Sequence, residues 1–356
     1  MHLISEEDWR DILDDIQYQK AVLLVGPEIT QSDGQPLSIH LRNALFQSNP
    51  DDIAYYYERD GFFLFRSPEG KVRVARQVKR FYRDLIPDER TLRHITAIPF
   101  HVIVSLNPDT FISEAFYKYG IKHSFHYFQY RHSNSSDDQI GKLHKSMPLI
   151  YNLFGSKDRD ESLLLDYDDV YKMLQSTLGA SSLPSGLLRT LREASTYIFI
   201  GFQFDKWYSQ LLFKFLSDNG RIEKRISNDS PLSDLDTNGF ILQQFQIRFM
   251  GKQTNFLDQL YNRCATRNIL RDLAEEDANT HGRIIQKYLA MGEIRSAMES
   301  LSQWTKDSEK KNEIILLQSR YSTLENQQDC MDSRDYRTEV AQIIDGLLEL
   351  TQRIGI

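Results

Sequence analysis

The stretch that decides the fold is AVLLVGPEIT, residues 21–30. Its first five residues are apolar and rich in Val and Leu, which is the pattern of a short strand buried on both faces. The strand ends at Gly26-Pro27, and the hydroxyl side chain of Thr30 follows four positions after the glycine. A glycine-led turn after a buried strand brings backbone N–H groups close to a ligand, commonly a nucleotide phosphate. A tight turn without a ligand has the same pattern, so the downstream segments decide between the two.

Strands alternate with helices along residues 1–265. Further buried strands are predicted at 101–105, 149–153, 162–165, 197–201 and 246–250. Amphipathic helices are predicted at 6–19, 37–47, 71–86, 111–119, 166–174, 205–215 and 255–261. This alternation predicts an α/β fold, with a mostly parallel, Rossmann-like sheet and helices on both of its faces. The aromatic residues at 55–57 and 62–65 have helical or turn spacing, which predicts core packing.

Polar residues stand directly after the predicted strands. Asn107 and Asp109 follow the strand that ends at Ser105, and Asp205 follows the strand that ends at Gly201. Open α/β sheets bind their ligands at the carboxyl ends of the strands. Asn and Asp are also ordinary turn residues, so their position alone leaves both a binding role and a turn open.

In this order the segments resemble the sirtuin-like fold, and specifically its bacterial defence branch, which consumes NAD. The family opens with a Gly-Ala-Gly-x-Ser/Thr turn, of which this chain keeps Gly26 and Thr30 but neither the alanine nor the second glycine. The family's Thr-x-Asn-x-Asp motif is matched by SLNPD at 105–109. Its Gly-x-Ser/Tyr-x-x-Asp motif resembles GFQFD at 201–205.

The resemblance implies that NAD is the substrate or ligand of the sheet domain. Asn107 and Asp109 would then act at the nicotinamide ribose as the catalytic pair. The residues that the resemblance implies for holding NAD are Gly26, Thr30, Ser105, Gly155, Gly201 and Asp205. It implies an effector that hydrolyses the nicotinamide–ribose bond in anti-phage defence, so that depletion of NAD stops the infected cell (abortive infection).

One family residue is replaced. The family's general base is the histidine of a Leu-His-Gly motif, and the matching residues 153–155 are Leu-Phe-Gly. Phe154 cannot accept a proton, and the loss of a positioned base costs about 100- to 10,000-fold in rate. That loss matters less for cleavage by water than for deacetylation, because electrostatic stabilisation can drive the departure of nicotinamide.

Two functions therefore stay open. In the first, the chain is an NAD glycohydrolase in which Asn107 orients the water and Asp109 stabilises the developing charge. In the second, it is a catalytically inactive sirtuin-like nucleotide-binding or scaffold protein. His144 is a further candidate for the missing base. Deacetylation ranks behind both, because the chain also lacks the Cys-x-x-Cys pairs of a zinc-containing deacetylase.

Residues 268–356 differ in pattern from the sheet domain. Helices are predicted at 269–277, 280–291, 293–305, 308–327 and 333–353. Apolar residues recur at spacings of three and four, as at Ile314, Leu317, Tyr321 and Leu324. The tail resembles the effector-associated domains of bacterial conflict systems, which are small helical adaptors that pair with like domains. It implies a protein partner, either a sensor or another protein with such a domain, and a homo-oligomer. A helical cap that only stabilises the sheet domain is the alternative.

Composition limits the remaining functions. A formal net charge of -7 argues against direct nucleic-acid binding, which needs excess Lys and Arg. Cys264 and Cys330 have no paired spacing, so neither a disulfide framework nor a metal site is expected. The acidic, amphipathic N-terminus does not have the pattern of a signal peptide, and no apolar run approaches the ~18 residues of a membrane span. The sequence therefore predicts a cytoplasmic protein.

Overall fold

The structure is a computed structural model. It describes residues 4–29, 31–32, 35–83, 85, 87–129, 143–178, 183–217, 224–228, 234–250, 255–274, 278–290, 292, 294–305, 308–326 and 331–354. The chain divides into two compact units. The first consists of Met1–Ser113 and Lys122–Asp272, and the second of Glu114–Ile121 and Leu273–Ile356.

The first unit is built on a parallel sheet. The strands of this unit are β1 (Ala21–Val25), β2 (Gln31–Ser32), β3 (Gln35–Pro36), β4 (Ile53–Tyr57), β5 (Phe62–Phe65), β6 (Val102–Ser105), β7 (Ser124–Tyr127), β8 (Leu149–Asn152), β9 (Thr196–Ile200), β10 (Lys224–Ser227) and β11 (Arg248–Phe249). Seven of them form one sheet in the order β11-β10-β9-β1-β6-β8-β7, and every pairing in it is parallel. The predicted α/β fold with a parallel, Rossmann-like sheet is confirmed.

Helices connect these strands and flank the sheet. They are α1 (Glu6–Gln17), α2 (Leu37–Ser48), α3 (Pro68–Arg83), α4 (Glu89–Ala97), α5 (Phe111–Lys118), α6 (Tyr167–Leu178), α7 (Ser185–Glu193), α8 (Trp207–Ser217), α9 (Leu235–Phe240) and α10 (Phe256–Thr266). α1 begins with a capping box, in which Ser5 Oγ accepts the N–H of Asp8 at 3.1 Å and the Asp8 carboxylate accepts the N–H of Ser5. Such a box satisfies two backbone donors that a helix start leaves unpaired.

β1 lies at the centre of the sheet, with β6 on one side and β9 on the other. All five of its residues are buried, as expected for a strand covered on both faces. β6, β8 and β7 lie on one side of β1, whereas β9, β10 and β11 lie on its other side. The order of the strands therefore reverses between β1 and β9, and the crevice at the carboxyl ends of these two strands is where such sheets bind ligands.

A partly buried ion-pair cluster links α3 to the start of α6. Lys71 Nζ lies 2.6 Å from Asp169 Oδ1 and 2.7 Å from Asp166 Oδ2. The Asp169 side chain is 1% exposed. Its second oxygen accepts the N–H of Leu165 at 2.9 Å. Asp166 in turn caps α6, because its Oδ1 accepts the N–H of Asp169 at 2.9 Å.

Several local predictions were wrong. The aromatic stretch does not have helical or turn spacing, since it forms an antiparallel hairpin of β4 and β5 with Tyr56 paired to Phe63. Its predicted core packing holds for Phe62 and Phe63, which are buried. A strand predicted at 162–165 is replaced by a 3-10 turn at Asp160–Ser162, because Ser162 Oγ bonds to the backbone of Ser156 and Arg159. Residues 269–274 are not helical, since the Arg271 side chain binds backbone carbonyls of the sheet domain there.

The second unit is helical. Its helices are α11 (Ala278–Ala290), α12 (Ile294–Trp304), α13 (Ser308–Asn326) and α14 (Ser333–Ile354). They enclose one apolar core, in which Ile285, Met298, Leu301, Ile343 and Leu347 are fully buried. The predicted helical tail is thus present, with bounds close to those expected for its last four helices.

The second unit also contains the end of α5. Tyr288 Oη donates to Glu114 Oε2 at 3.4 Å, and Lys287 Nζ lies 3.8 Å from the centre of the Tyr117 ring. The N–H of Ala274 donates to the carbonyl of Tyr119 at 3.0 Å. α5 therefore begins in the first unit, at Phe111–Ser113, and ends in the second.

Over the residues that the structure describes, no helix has both the length and the apolar character needed to cross a membrane.

Candidate functional site

Gly26 and Gly201 bring the ends of β1 and β9 into direct contact. The N–H of Gly26 donates to the carbonyl of Ile200 at 2.9 Å. A Cβ on Gly26 would lie 2.1 Å from the carbonyl oxygen of Gly201 and 2.5 Å from the Cα of Phe202. Gly201 has a φ of +64°, in the region that favours glycine. Close packing of two backbones therefore requires glycine at position 26, and these two predicted site residues meet at the point where the strand order reverses.

Asn107 stands at the end of β6, next to this contact. Its side chain is buried, and its Nδ2 donates to the carbonyl of Gly26 at 3.3 Å. The Ser105 hydroxyl accepts the backbone N–H of Asn107 at 3.0 Å, which fixes the turn after the strand. The Asn107 Oδ1 atom is buried and accepts no hydrogen bond from a described residue. A buried amide oxygen without a donor costs about 1–3 kcal/mol, so a donor from an ordered water or a ligand is expected there.

Asp109 is held in the same loop. Its carboxylate is buried, and its Oδ1 accepts the N–H of Phe111 at the start of α5 at 3.0 Å. The carbonyl of Asp109 accepts Asn152 Nδ2 at 2.7 Å, and the carbonyl of Pro108 accepts the N–H of Lys157 at 2.7 Å. Two strand ends, those of β6 and β8, therefore fix the position of the Asn107–Asp109 loop.

A small cavity opens beside Asn107 and Asp109. It is lined also by Ile29, Phe111, Ile112 and residues 87, 88, 91 and 92 at the start of α4. Its volume is about 10 Å³, which is the size of one water molecule. Tyr82 lies close by, since its ring packs on Phe111 and the Asp109 charge, after burial, raises the pKa of its phenol. The Tyr82 hydroxyl therefore stays protonated.

Phe154, which is predicted to replace the family's histidine, is partly buried and packs against the apolar core. Its ring centre lies 5.7 Å from that of Tyr208. Burial raises the pKa of the Tyr208 phenol, so this neighbour offers no base either. The next residue, Gly155, has a φ of +84°, and a Cβ there would lie 2.0 Å from the carbonyl oxygen of Ser162. The glycine thus allows the chain to turn sharply after β8.

Asp205 has no described contact with this cluster. Asp205 lies before α8, is about half exposed, and pairs with its neighbour Lys206 at 3.3 Å. Its described contacts do not include Gly26, Asn107 or Asp109. Thr30 lies outside the described residues. The structure therefore joins Gly26, Ser105, Asn107, Asp109 and Gly201 in one network, with Gly155 at the turn beside it.

His144 does not fill the place of the missing base. The segment that carries it is bound to the end of α1, because the N–H of Lys145 donates to Gln19 Oε1 at 3.0 Å. Burial lowers the pKa of His101 to about 4, and the nearby charge of His144 is the second cause of this shift. His101 precedes β6 and Asn107 follows it, about 20 Å apart along an extended chain. These contacts place His144 at the amino end of the sheet, so they do not support its predicted role as a base.

Sequence reasoning missed three contributors to the site. Asn152 and Lys157 hold the Asn107–Asp109 loop through a side chain and a backbone N–H, and Tyr82 reaches Asp109 from α3. A polar residue at the end of a buried strand is a usable signal for Asn152, whereas the contacts of the other two depend on tertiary packing. Among the described residues, no group of three or more His, Cys, Asp or Glu is placed to hold a metal ion.

Comparison with curated proteins finds no match for this chain. Comparison with family models finds two matches, one in each part of the chain. Residues 283–355 match the model described as effector-associated domain 11. Residues 101–227, which contain Asn107, Asp109, Phe154 and Gly201, match the model described as SIR2-like domain. The predicted resemblance is confirmed: a sirtuin-like domain is followed by a C-terminal effector-associated domain.

Proposed function

We propose that this chain is a sirtuin-like effector that binds NAD at the carboxyl ends of β1, β6 and β9 and hydrolyses its nicotinamide–ribose bond. The observation that carries the proposal is the buried Asn107 Oδ1, which accepts no described hydrogen bond beside a cavity that it shares with Asp109. The match of this segment to the SIR2-like domain supports NAD as the ligand.

The residues present fit such a ligand. The Gly26–Gly201 contact lies at the reversal of strand order, where a dinucleotide is expected. Ser105 fixes the Asn107 turn, and Gly155 allows the turn after β8, so both act by shaping the loops around the ligand. Asp205 and Thr30 are proposed to contact the phosphates and the adenosine side on the family resemblance alone.

The reaction consumes NAD and water and yields nicotinamide, ADP-ribose and a proton. The bond between ribose C1′ and the pyridinium nitrogen breaks, and its electron pair stays on that nitrogen. The water oxygen forms the new bond to C1′ and loses its proton to solvent. Asn107 Oδ1 would accept a hydrogen bond from this water, and a cavity of about 10 Å³ has room for it. The Asp109 carboxylate would stabilise positive charge that develops on the ribose.

Phe154 favours the alternative, a catalytically inactive nucleotide-binding or scaffold protein. Because its ring packs on Tyr208, the turn after β8 supplies no proton acceptor at that position. Hydrolysis without a base is expected to be slow rather than absent, since a base contributes about 100- to 10,000-fold. A nucleotide-binding protein of this kind would share the NAD site and differ from the hydrolase in turnover, whereas a scaffold protein would act through the helical domain alone.

The helical tail carries the second part of the proposal, which concerns the partners of the protein. The match to effector-associated domain 11 supports a role in protein–protein interaction. We propose that the tail recruits a sensor or another protein with such a domain during anti-phage defence. Assembly into a homo-oligomer and a cytoplasmic location belong to the same proposal, as does the death or arrest of the infected cell through loss of NAD.

Nicotinamide release by the full chain tests the proposal. An Asn107→Ala variant is expected to lose at least about 100-fold in rate if the amide positions the water. Asn49→Ala is the matched control, because this buried asparagine also donates Nδ2 to a backbone carbonyl, that of Leu45 at 3.2 Å, and does not line the site. Equal rates for Asn107→Ala and the wild type would refute the catalytic assignment.

A second pair of measurements separates the enzyme from the inactive protein. NAD at about 100 times its Kd should stabilise the folded chain by about 2.7 kcal/mol, which a thermal shift detects. Phe154→His restores the family's base, and we expect it to raise the rate of a working hydrolase. Stabilisation by NAD without turnover, in both the wild type and Phe154→His, would support the inactive protein instead.

A further inference from the structure

A second, larger cavity lies between α3 and the segment that follows β8. Its volume is about 380 Å³, which falls within the range of small-molecule sites. The cavity is lined by Arg76, Lys79, Arg80, Arg83, Asp158, Arg159, Asp160 and Glu161. None of these residues lines the cavity beside Asn107 and Asp109.

Cations dominate the lining of this second cavity. Five of its eight residues are Lys or Arg and three are Asp or Glu, although the whole chain has a net charge of -7. Arg76 and Arg80 are one helical turn apart on α3, so they face the same side of that helix. No described carboxylate forms an ion pair with Arg76, Arg80 or Arg159. Their guanidinium groups therefore have hydrogen-bond donors for a ligand, while the charge of Arg76 also acts on Asp160.

The three carboxylates of the lining lie close to some of its cations. Asp158 is engaged by Lys79, with Oδ1 and Nζ 3.2 Å apart. Burial raises the pKa of Asp160 despite the nearby charges of Arg76 and Lys79, which shows that this wall is partly desolvated. Guanidinium groups bind phosphate oxygens in two-point contacts, and carboxylates accept hydrogen bonds from hydroxyl groups. A lining of both kinds suits a ligand that carries a phosphate and a sugar.

We propose that this cavity binds a small phosphate-bearing molecule of the sugar-phosphate or mononucleotide class, with its phosphate on Arg76, Arg80 and Arg159. The site is separate from the proposed NAD site and does not depend on NAD hydrolysis. It lies next to it along the chain, since Lys157, the residue before Asp158, donates its N–H to Pro108 in the Asn107–Asp109 loop.

Calorimetric titration of the full chain with inorganic pyrophosphate and with AMP tests this site. Low ionic strength is used, because salt screens exposed charges. The double variant Arg76→Ala/Arg80→Ala is expected to weaken the binding of both probes by at least about tenfold, since charged hydrogen bonds are the strong ones. Arg76→Gln/Arg80→Gln, which keeps most of each side chain's apolar stem, should weaken it equally if charge is the cause.

Two control variants sharpen the test. Arg73→Ala removes the same charge from the same helix, but Arg73 is paired with Asp52 and does not line the cavity. It should bind both probes within about twofold of the wild type. Asn107→Ala should also keep the binding, which separates this site from the NAD site even if the proposed hydrolase is wrong. Thermal unfolding verifies that each variant is folded.

Three results would overturn the proposal. The first is the absence of binding to the wild type, or equal binding by the wild type and both double variants. The second is loss of binding in Asn107→Ala, which would place the probes in the NAD site. The third is binding of a short RNA through the same arginines without binding of AMP, which would make the ligand a nucleic acid.

Discussion

Replacing Gly26 with alanine tests whether the contact of β1 with β9 builds the site. The new Cβ would lie 2.1 Å from the Gly201 oxygen, whereas ordinary contacts begin near 3.4 Å, so the backbones must separate by about 1.3 Å. That shift breaks the bond from the Gly26 N–H to Ile200 and the bond from Asn107 Nδ2 to Gly26. Overpacking costs about 1–3 kcal/mol and each lost hydrogen bond about 1 kcal/mol. We therefore expect the free energy of unfolding to fall by about 3–5 kcal/mol.

Urea denaturation of the two proteins measures this loss. Gly186→Ala is the matched control, because a Cβ at that helical glycine meets nothing within 4 Å. It should stabilise the protein by up to about 1 kcal/mol through helix propensity. If Gly26→Ala were as stable as the wild type within about 0.5 kcal/mol, the two strands would have room to separate, and the reasoning from their close approach would be refuted.

Two further predictions concern stability. Lys71→Met removes the cation that lies beside the buried Asp169 carboxylate, and we expect the free energy of unfolding to fall by about 3 kcal/mol at neutral pH. The double variant Lys71→Met/Asp169→Asn should recover part of this loss. A double variant no more stable than Lys71→Met would contradict the coupling of the two side chains. The pKa of His101 falls from 6.5 to about 4, first through burial, so the unfolded chain binds more protons between these values and stability should drop as pH falls through them. This difference in the pKa of His101 corresponds to about 3 kcal/mol in the free energy of unfolding. Unfolding titrations of His101→Asn should lack this share of the pH dependence, and an unchanged profile would show that other groups cause it.

The sequence predicted the central strands because their signal is local. Residues 21–25 and 197–200 are continuous apolar runs, and runs of this kind form strands buried on both faces. The positions of Asn107 and Asp109 follow from the same logic, since a polar pair after a buried strand must lie at its carboxyl end. The residues 105–109 do not predict the hydrogen bond from Asn152 that fixes this loop, because that bond depends on β8 lying beside β6.

The errors arose where hydrogen bonds to residues outside a segment override its local pattern. The segment 162–165 is apolar enough for a strand, yet the turn at Gly155 and the hydrogen bonds of Ser162 leave it outside the sheet. Residues 269–274 have helical spacing, yet the Arg271 guanidinium donates to the carbonyls of Thr96 and Ile98, at 2.7 and 2.8 Å. The partners of Ser162 lie three and six residues before it, and these two partners of Arg271 lie more than 170 residues before it. In both cases the partners lie outside the segment, so the segment's own pattern does not indicate them.

Helix α5 limits how the protein can be dissected by experiment. A fragment that ends near residue 268, the boundary suggested by sequence, lacks Ala274, Lys287 and Tyr288, which contact the end of α5. The helix that starts beside Asp109 would lose its native neighbours at Glu114 and Tyr117, even though no residue of the proposed NAD site was removed. A fragment that keeps these contacts of α5 must therefore extend at least to Tyr288.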